Sequence, residues 1–125
     1  MSYLLKVEHK TNYLHVTVRG KNASKNVLSY LSEVRDKCLE HKCPNVLIEE
    51  NLKGPGLGTS AIFDVVSEAS KNVHPVIRHI AYVDVNPEHD IKELKFAESV
   101  AVNRAVNVRL FSSITEAEKW FASLL

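Results

Sequence analysis

Short apolar runs alternate with segments of helical periodicity along most of this chain, and this alternation constrains its fold more than any single motif. Residues 46–48 and 76–84 are mostly apolar without alternation, which is typical of strands covered on both faces. Residues 3–9 and 13–19 instead alternate apolar and polar side chains, which predicts a β-hairpin with one buried face. Strands separated by helices favour parallel pairing with right-handed crossovers.

Between the strands, apolar side chains recur at the spacing of a helix face, and the last such stripe closes the chain. Residues that can cap or start a helix precede the stripes: Asn22 or Ser24, Thr59 or Ser60, Asn86-Pro87, and Ser113 with Glu116. The predicted order of elements is ββαβαβαβα. It describes a three-layer α/β fold with a mixed, mostly parallel five-stranded sheet and helices packed against it, as a single domain over residues 1–125.

The balance of charges limits the partners that the chain can hold. It has 16 basic and 15 acidic residues among 125, which gives a net charge of +1. This balance creates no long-range field for a polyanion, so binding to nucleic acid or a membrane surface is disfavoured. No apolar run approaches the roughly 18 residues of a membrane span. The N-terminal stretch lacks the basic segment and apolar core of a secretion signal, so we expect no membrane insertion and a cytoplasmic location.

Cysteine and histidine give no sign of a metal centre in this sequence. Cys38 and Cys43 do not form a C-x-x-C motif, and two reduced thiols are favoured over a redox pair or metal site. The six histidines are scattered over different elements without metal-ligand spacing. We therefore predict no metal, no cofactor and no catalytic residues.

A cluster of glycines follows the third predicted strand. Three of the four glycines of the chain, Gly54, Gly56 and Gly58, lie there and are followed by Thr59 and Ser60 at a predicted helix start. In α/β proteins, the passage from a strand through a glycine loop to a helix often holds an anion, a ligand or a phosphorylation site. The G-x-G-x-G spacing and the lack of a Lys-Ser/Thr ending fit neither a dinucleotide fingerprint nor a P-loop. The alternative is structural: the glycines permit positive φ angles, and Thr59 or Ser60 caps the helix.

Acidic residues close the strands on either side of this loop. Glu49 and Glu50 are adjacent on one strand and so point to opposite faces, which disfavours their action as a paired acid and base. Asp84 ends the next parallel strand at the same edge of the sheet, where it either lines the same crevice or caps the following turn. The predicted ligand- or partner-binding site comprises Glu50, Gly54, Gly56, Gly58, Thr59, Ser60 and Asp84.

The last strand and helix carry a resemblance to a known family. Residues 106–111 read Val-Asn-Val-Arg-Leu-Phe, and residues 116–121 read Glu-Ala-Glu-Lys-Trp-Phe after a short polar break. This ending resembles that of SpoIIAA-like proteins of the STAS group, which comprises sulfate transporters and anti-sigma-factor antagonists. The resemblance implies a mixed sheet and a mainly non-enzymatic role in binding partner proteins or small ligands. In the antagonists a serine in an Asp-Ser-Ser/Thr-Gly loop is phosphorylated. Here that aspartate is missing, so Ser60 and Thr59 are only candidate phosphorylation sites at a similar place.

Three functions remain open from the sequence. The first is a non-enzymatic regulatory or binding module that contacts an unidentified protein partner or small ligand through the glycine-rich loop. The second is a carrier of a small apolar or lipid-like ligand in a cleft between helices and sheet. A closed apolar cavity would favour this carrier, whereas a solid core with an exposed loop would favour the binding module. The third is an enzyme of unknown reaction, which convergent polar groups with perturbed pKa values in a deep pocket would favour. A homodimer stays open on base rates alone.

Overall fold

The computed structural model describes residues 3–125, so Met1 and Ser2 of the N-terminal stretch lie outside the described residues. The order of elements is the predicted ββαβαβαβα. Their bounds are β1 Tyr3–His9, β2 Leu14–Lys21, α1 Ser24–Glu40, β3 Asn45–Lys53, α2 Thr59–Ser70, β4 His79–Asp84, α3 Ile91–Val102, β5 Val108–Leu110 and α4 Ile114–Ser123. The prediction of an α/β fold is therefore confirmed, with strand ends that differ by a few residues.

The five strands form one sheet in the order β1-β2-β3-β4-β5. β1 pairs with β2 antiparallel, and the other three pairings are parallel, so the predicted mixed, mostly parallel sheet is confirmed. Each helical connection between parallel strands leads to the adjacent strand, always in the same direction across the sheet. Because such crossovers are right-handed, α1, α2 and α3 must all lie on the same face of the sheet.

Side chains on the two faces of the sheet enter two separate cores. Ile48 packs in the larger core with residues of α1 and α2, whereas its neighbour Leu47 packs in the smaller core with Ala117 and Phe121 of α4. Successive strand residues point to opposite faces, so α4 covers the face opposite to the other helices. Within residues 3–125, no helix has the length and hydropathy needed to cross a bilayer.

The predicted caps of the first two helices are wrong. Ala23 precedes α1 without a side-chain capping bond, while the Asn22 side chain donates a hydrogen bond of 2.9 Å to the carbonyl of Pro55. Gly58 precedes α2, and Thr59 is its first residue, so no hydroxyl caps this helix. The Asn22 side chain is thus bonded to the glycine-rich loop instead of capping α1, and the residue before α2 is a glycine, which has no side chain to form a cap.

The third helix begins later than Asn86-Pro87 predicts. The Asn86 side chain accepts a bond of 3.0 Å from the Glu88 N–H and donates one of 2.9 Å to the Leu52 carbonyl, which makes residues 86–89 a turn. Asp90 is the actual N-cap and accepts a bond of 2.9 Å from the Lys92 N–H. The predicted cap of α4 is confirmed, because Ser113 accepts from the N–H of Glu116 at 3.2 Å.

Candidate ligand-binding site

A cavity of about 450 Å³ lies between the helices α1, α2 and α3 and the sheet. This volume falls within the range of roughly 300–1,000 Å³ that is usual for small-molecule sites. Most of the side chains around it are apolar. Examples from the helices and the sheet are Leu28, Leu31, Val65, Ala97, Ile48 and Ile80.

One end of the cavity is polar, at the point where β3 and β4 finish. Glu50 and Asp84 are paired in the register of these strands, so both side chains lie on the face that carries α1 to α3. His89, from the turn before α3, completes the group. One ligand atom from each of the three residues lies within 4.8 Å of the others. We call Glu50, Asp84 and His89 the acidic end of the cavity.

Glu50 is buried between two tyrosines, with only 5% of the residue exposed. Tyr82 donates a hydrogen bond of 2.8 Å to one carboxylate oxygen of Glu50, and Tyr30 donates to the other. Burial raises the pKa of Glu50 from 4.5 to about 7, while these two hydrogen bonds act in the opposite direction. The carboxyl group can therefore change its charge near neutral pH.

The two tyrosines are held as neutral hydrogen-bond donors. Burial, followed by the nearby charge of Glu50, raises the pKa of both Tyr30 and Tyr82 well above the ordinary value. Both hydroxyls are committed to Glu50. Neither tyrosine is therefore set up as a base or as a nucleophile in this arrangement.

His89 links the acidic end to the glycine-rich loop. Its Nδ1 lies 2.6 Å from an Asp84 carboxylate oxygen, and its Nε2 lies 3.0 Å from the carbonyl oxygen of Gly54. The Asn86 amide nitrogen is farther from Nε2, at 3.3 Å. Since the closest partner of each ring nitrogen is an acceptor, we assign a proton to both nitrogens and a positive charge to the ring.

The pKa of His89 agrees with that assignment. Burial opposes the charged form, but the hydrogen bond to Asp84 and then the bond to Gly54 leave the pKa of His89 above its ordinary value. The side chains of His89 and Asp84 are only 4% and 1% exposed, so this is a buried ion pair. A metal ion would bind the three residues only if His89 gave up a ring proton.

The glycine-rich loop has a structural reason for each glycine. Gly54 and Gly58 have φ angles of +110° and +86°, which other residues adopt at a cost in backbone strain. At Gly56, an added Cβ would lie 2.8 Å from a carboxylate oxygen of Glu93. That carboxylate accepts a hydrogen bond of 2.9 Å from the Gly58 N–H. Negative charge from the protein itself therefore already lies at the start of α2, where an external anion would have been favoured.

The structure brings together only part of the predicted site. Glu50, Asp84 and Gly56 line the cavity, and Gly54 contacts it through His89. Gly58, Thr59 and Ser60 are exposed and lie outside the set of described residues that line it. Glu49 points to the opposite face, as expected, where its carboxylate lies 2.8 Å from His15.

Sequence reasoning missed Tyr30, Tyr82, His89 and Glu93. A signal existed for Tyr82, because Ile80, Tyr82 and Asp84 must share one face of their strand. No comparable signal pointed to His89, whose position depends on the turn at residues 86–89 rather than on a helix there. The prediction that Cys38 and Cys43 are unpaired thiols agrees with the structure, in which both are free and buried.

The fold and the site together define a class of protein: a mixed α/β domain with a largely apolar cavity that ends in buried ionisable groups. The chain matches no protein-family model and no curated protein. The resemblance of its ending to SpoIIAA-like proteins therefore stays a prediction.

Proposed function

We propose that this protein is a non-enzymatic binding module whose small, largely apolar ligand occupies the cavity between the helices and the sheet. The observation that carries this proposal is the cavity itself, of about 450 Å³ and lined mainly by apolar side chains. Filling it with an apolar group would remove hydrocarbon surface from water on both partners. The polar groups at one end would orient the ligand, as a few placed polar groups do in most small-molecule sites.

The cavity favours the carrier among the alternatives that the sequence left open. Gly56 and Leu57 contribute to its lining, so the glycine-rich loop would act as a rim of the binding site rather than as an anion cradle. Membership of the SpoIIAA-like STAS family is part of the same proposal. Its support is the element order ββαβαβαβα and the closing strand and helix.

A second candidate function is contact with a protein partner at the start of α2. It is supported by the exposure of Gly58, Thr59 and Ser60 on the outer side of the loop. A phosphate on Ser60 or Thr59 would gain about 0.3–1 kcal/mol from the helix dipole, but it would also face the Glu93 carboxylate bound to Gly58. Intact-mass analysis after co-expression with a cognate kinase tests this candidate, and absence of modification at both residues contradicts it.

The cavity also contains ionisable groups whose pKa values are shifted, which is typical of enzyme active sites. Burial raises the pKa of Glu50 to about 7, a value suitable for proton transfer. However, both nitrogens of His89 and both tyrosine hydroxyls are committed to hydrogen bonds within the protein. Glu50 is therefore left without a second acid, base or nucleophile among these groups, and binding is the better supported function.

Fluorescence of the neutral dye Nile red tests the proposed function. The wild-type protein should enhance the emission of the dye with saturable, one-site binding. Ala97→Leu, which places a larger side chain on the cavity wall, should weaken this binding. Ser99→Leu adds the same side chain at an exposed position of the same helix and is the matched control. Failure of the wild type to bind, or equal binding by Ala97→Leu, would contradict the proposal.

A further inference from the structure

We infer that the ligand of this cavity carries a cationic amine head group on an apolar body, with the amine at Glu50. This inference rests on the proposed function and specifies the chemistry of its ligand. Three features of the cavity support it: the sign of the charges around it, the hydrogen-bonding state of its donors, and the acceptors that remain.

Carboxylates dominate the charged groups that line the cavity. The acidic side chains are Glu50, Glu68, Asp84, Asp90, Glu93 and Glu98, and the basic ones are Arg35 and His89. Arg35 donates a hydrogen bond of 2.6 Å to the carbonyl of Asn72, so its guanidinium is held beyond the C-terminal end of α2. The positive charge of His89 is already matched by Asp84. The lining therefore favours a cation over an anion.

The donors at the acidic end are already engaged. Tyr30 and Tyr82 direct their hydroxyl hydrogens to Glu50, and His89 directs one ring hydrogen to Asp84 and the other to Gly54. Beside an ionised Glu50, a ligand carboxylate or phosphate would meet acceptors and would have to break one of these bonds to find a donor. Leaving a buried acceptor unmatched is unfavourable, so an anionic head group does not suit this end.

Acceptor capacity remains on Glu50. A carboxylate has about four lone-pair sites, and each Glu50 oxygen accepts one tyrosine hydrogen bond. An ammonium group, which has donors and no acceptor, is complementary to these remaining sites. It also supplies a counter-charge for Glu50, because Asp84 and His89 neutralise each other and leave an ionised Glu50 uncompensated.

Three probes with the same apolar chain separate the head-group chemistries: decylamine, decanol and decanoate. Isothermal titration calorimetry near neutral pH should rank decylamine tightest, by about tenfold or more over decanol, because a charge-assisted hydrogen bond adds to the same apolar burial. Decanoate should bind most weakly. Similar affinities for all three would overturn the amine inference and leave the proposed function standing. Binding of none of them would count against both.

Glu50→Gln is the decisive variant. It keeps the size of the side chain and removes its charge, so it should lose the preference for decylamine while still binding decanol. Glu40→Gln is the matched control, because Glu40 has a side chain 64% exposed and paired with Lys37, and it lies outside the set of described residues that line the cavity. The control should keep the preference. If Glu50→Gln binds decanol normally and retains the full preference for decylamine, Glu50 does not hold the amine.

Proton release supplies a readout that a merely apolar site would not give. An ammonium group beside Glu50 should favour the ionised carboxyl, against the effect of burial. The other titratable groups that face Glu50 are Tyr30, Tyr82, Asp84 and His89. Decylamine binding at about pH 6 to 7 should therefore release protons, measured as a dependence of the calorimetric enthalpy on the buffer. Decanol should release fewer. Equal release for both probes contradicts the inference.

Discussion

A carboxylate oxygen of Glu93 accepts a hydrogen bond of 2.9 Å from the backbone N–H of Gly58 and so joins α3 to the start of α2. The same carboxylate passes so close to Gly56 that a Cβ there would lie 2.8 Å from its other oxygen. Gly56 therefore differs from Gly54 and Gly58, which are required by their positive φ angles. The glycine cluster serves two physical purposes, backbone conformation and the close approach of an acidic side chain.

This relationship predicts non-additive effects of substitutions at Gly56 and Glu93. Gly56→Ala should displace the flexible Glu93 side chain and weaken its bond to Gly58, which lowers the free energy of unfolding by about 0.5–1.5 kcal/mol. In the Glu93→Ala background the displaced group is gone, so the same substitution should be close to neutral. Chemical denaturation of the four proteins of this double-mutant cycle measures the coupling.

Gly58→Ala provides the control for that cycle. Its effect comes from the backbone angle of +86°, so strain should persist in the Glu93→Ala background. Additive effects of Gly56→Ala and Glu93→Ala would show that the contact between these residues contributes nothing to stability.

Burial of Glu50 predicts a pH-dependent stability. Its pKa in the folded protein is about 7, above the value of 4.5 for the free group, so the folded state binds a proton more tightly than the unfolded state does. The unfolding free energy should therefore fall as pH rises from about 4.5 to about 7, by a contribution on the order of 3 kcal/mol, and this contribution should not fall further above that range.

Denaturation curves across this pH range test the assignment to Glu50. Glu50→Gln should remove most of the decline, because a glutamine cannot titrate. Glu68→Gln, at an exposed carboxyl, is the control. A decline of equal size in Glu50→Gln would mean that another group is responsible.

The two tyrosines should tune the pKa of Glu50 in a measurable way. Each hydrogen bond from a tyrosine lowers the pKa of this carboxyl against the larger effect of burial. Tyr82→Phe should therefore raise the pKa of Glu50 above its wild-type value, and adding Tyr30→Phe should raise it again. Carbon-detected NMR titration of the Glu50 carboxyl group gives the value directly.

Tyr13→Phe is a suitable control for these substitutions. Tyr13 is also buried, but it stacks on Phe121 in the core on the opposite face of the sheet. The Tyr13→Phe substitution should leave the pKa of Glu50 unchanged. An unchanged or lowered pKa in Tyr82→Phe would contradict the hydrogen-bonding role of that residue.

Much of the fold could be predicted because the spacing of apolar residues along the chain reflects which side chains are buried. The alternation in β1 and β2 and the unbroken apolar run in β3 identified their environments, and the order of elements followed. Helix starts were less predictable, because Asn22 and Asn86 hydrogen-bond to distant backbone carbonyls instead of capping the helices that follow them. A single sequence contains no information on such long-range partners.

The site was predictable only along individual strands. The positions of Glu50 and Asp84 at strand ends suggested one edge of the sheet, and the register of β3 and β4 places them side by side. Their burial by Tyr30 and His89 depends on how α1 packs and how the turn before α3 is built. These are tertiary features, so the acidic end could not have been derived from motif spacing.

The ion pair of His89 predicts a stability effect that depends on pH with a definite sign. The pKa of His89 in the folded protein is above its ordinary value of 6.5, so its charged form stabilises the fold. This stabilisation is fully present below about pH 6.5 and is lost as pH rises through the higher folded value. His89→Gln should therefore lower the unfolding free energy by about 1.5–3 kcal/mol at low pH, the range for hydrogen bonds to charged groups. The difference in unfolding free energy between the two proteins should shrink as the solution becomes alkaline, measured by urea denaturation from about pH 5 to about pH 9.

His41→Gln, at an exposed residue following α1, controls for the loss of a histidine outside the cavity. A difference that stays constant or grows with pH would mean that the bonds of His89 to Asp84 and Gly54 do not depend on its positive charge.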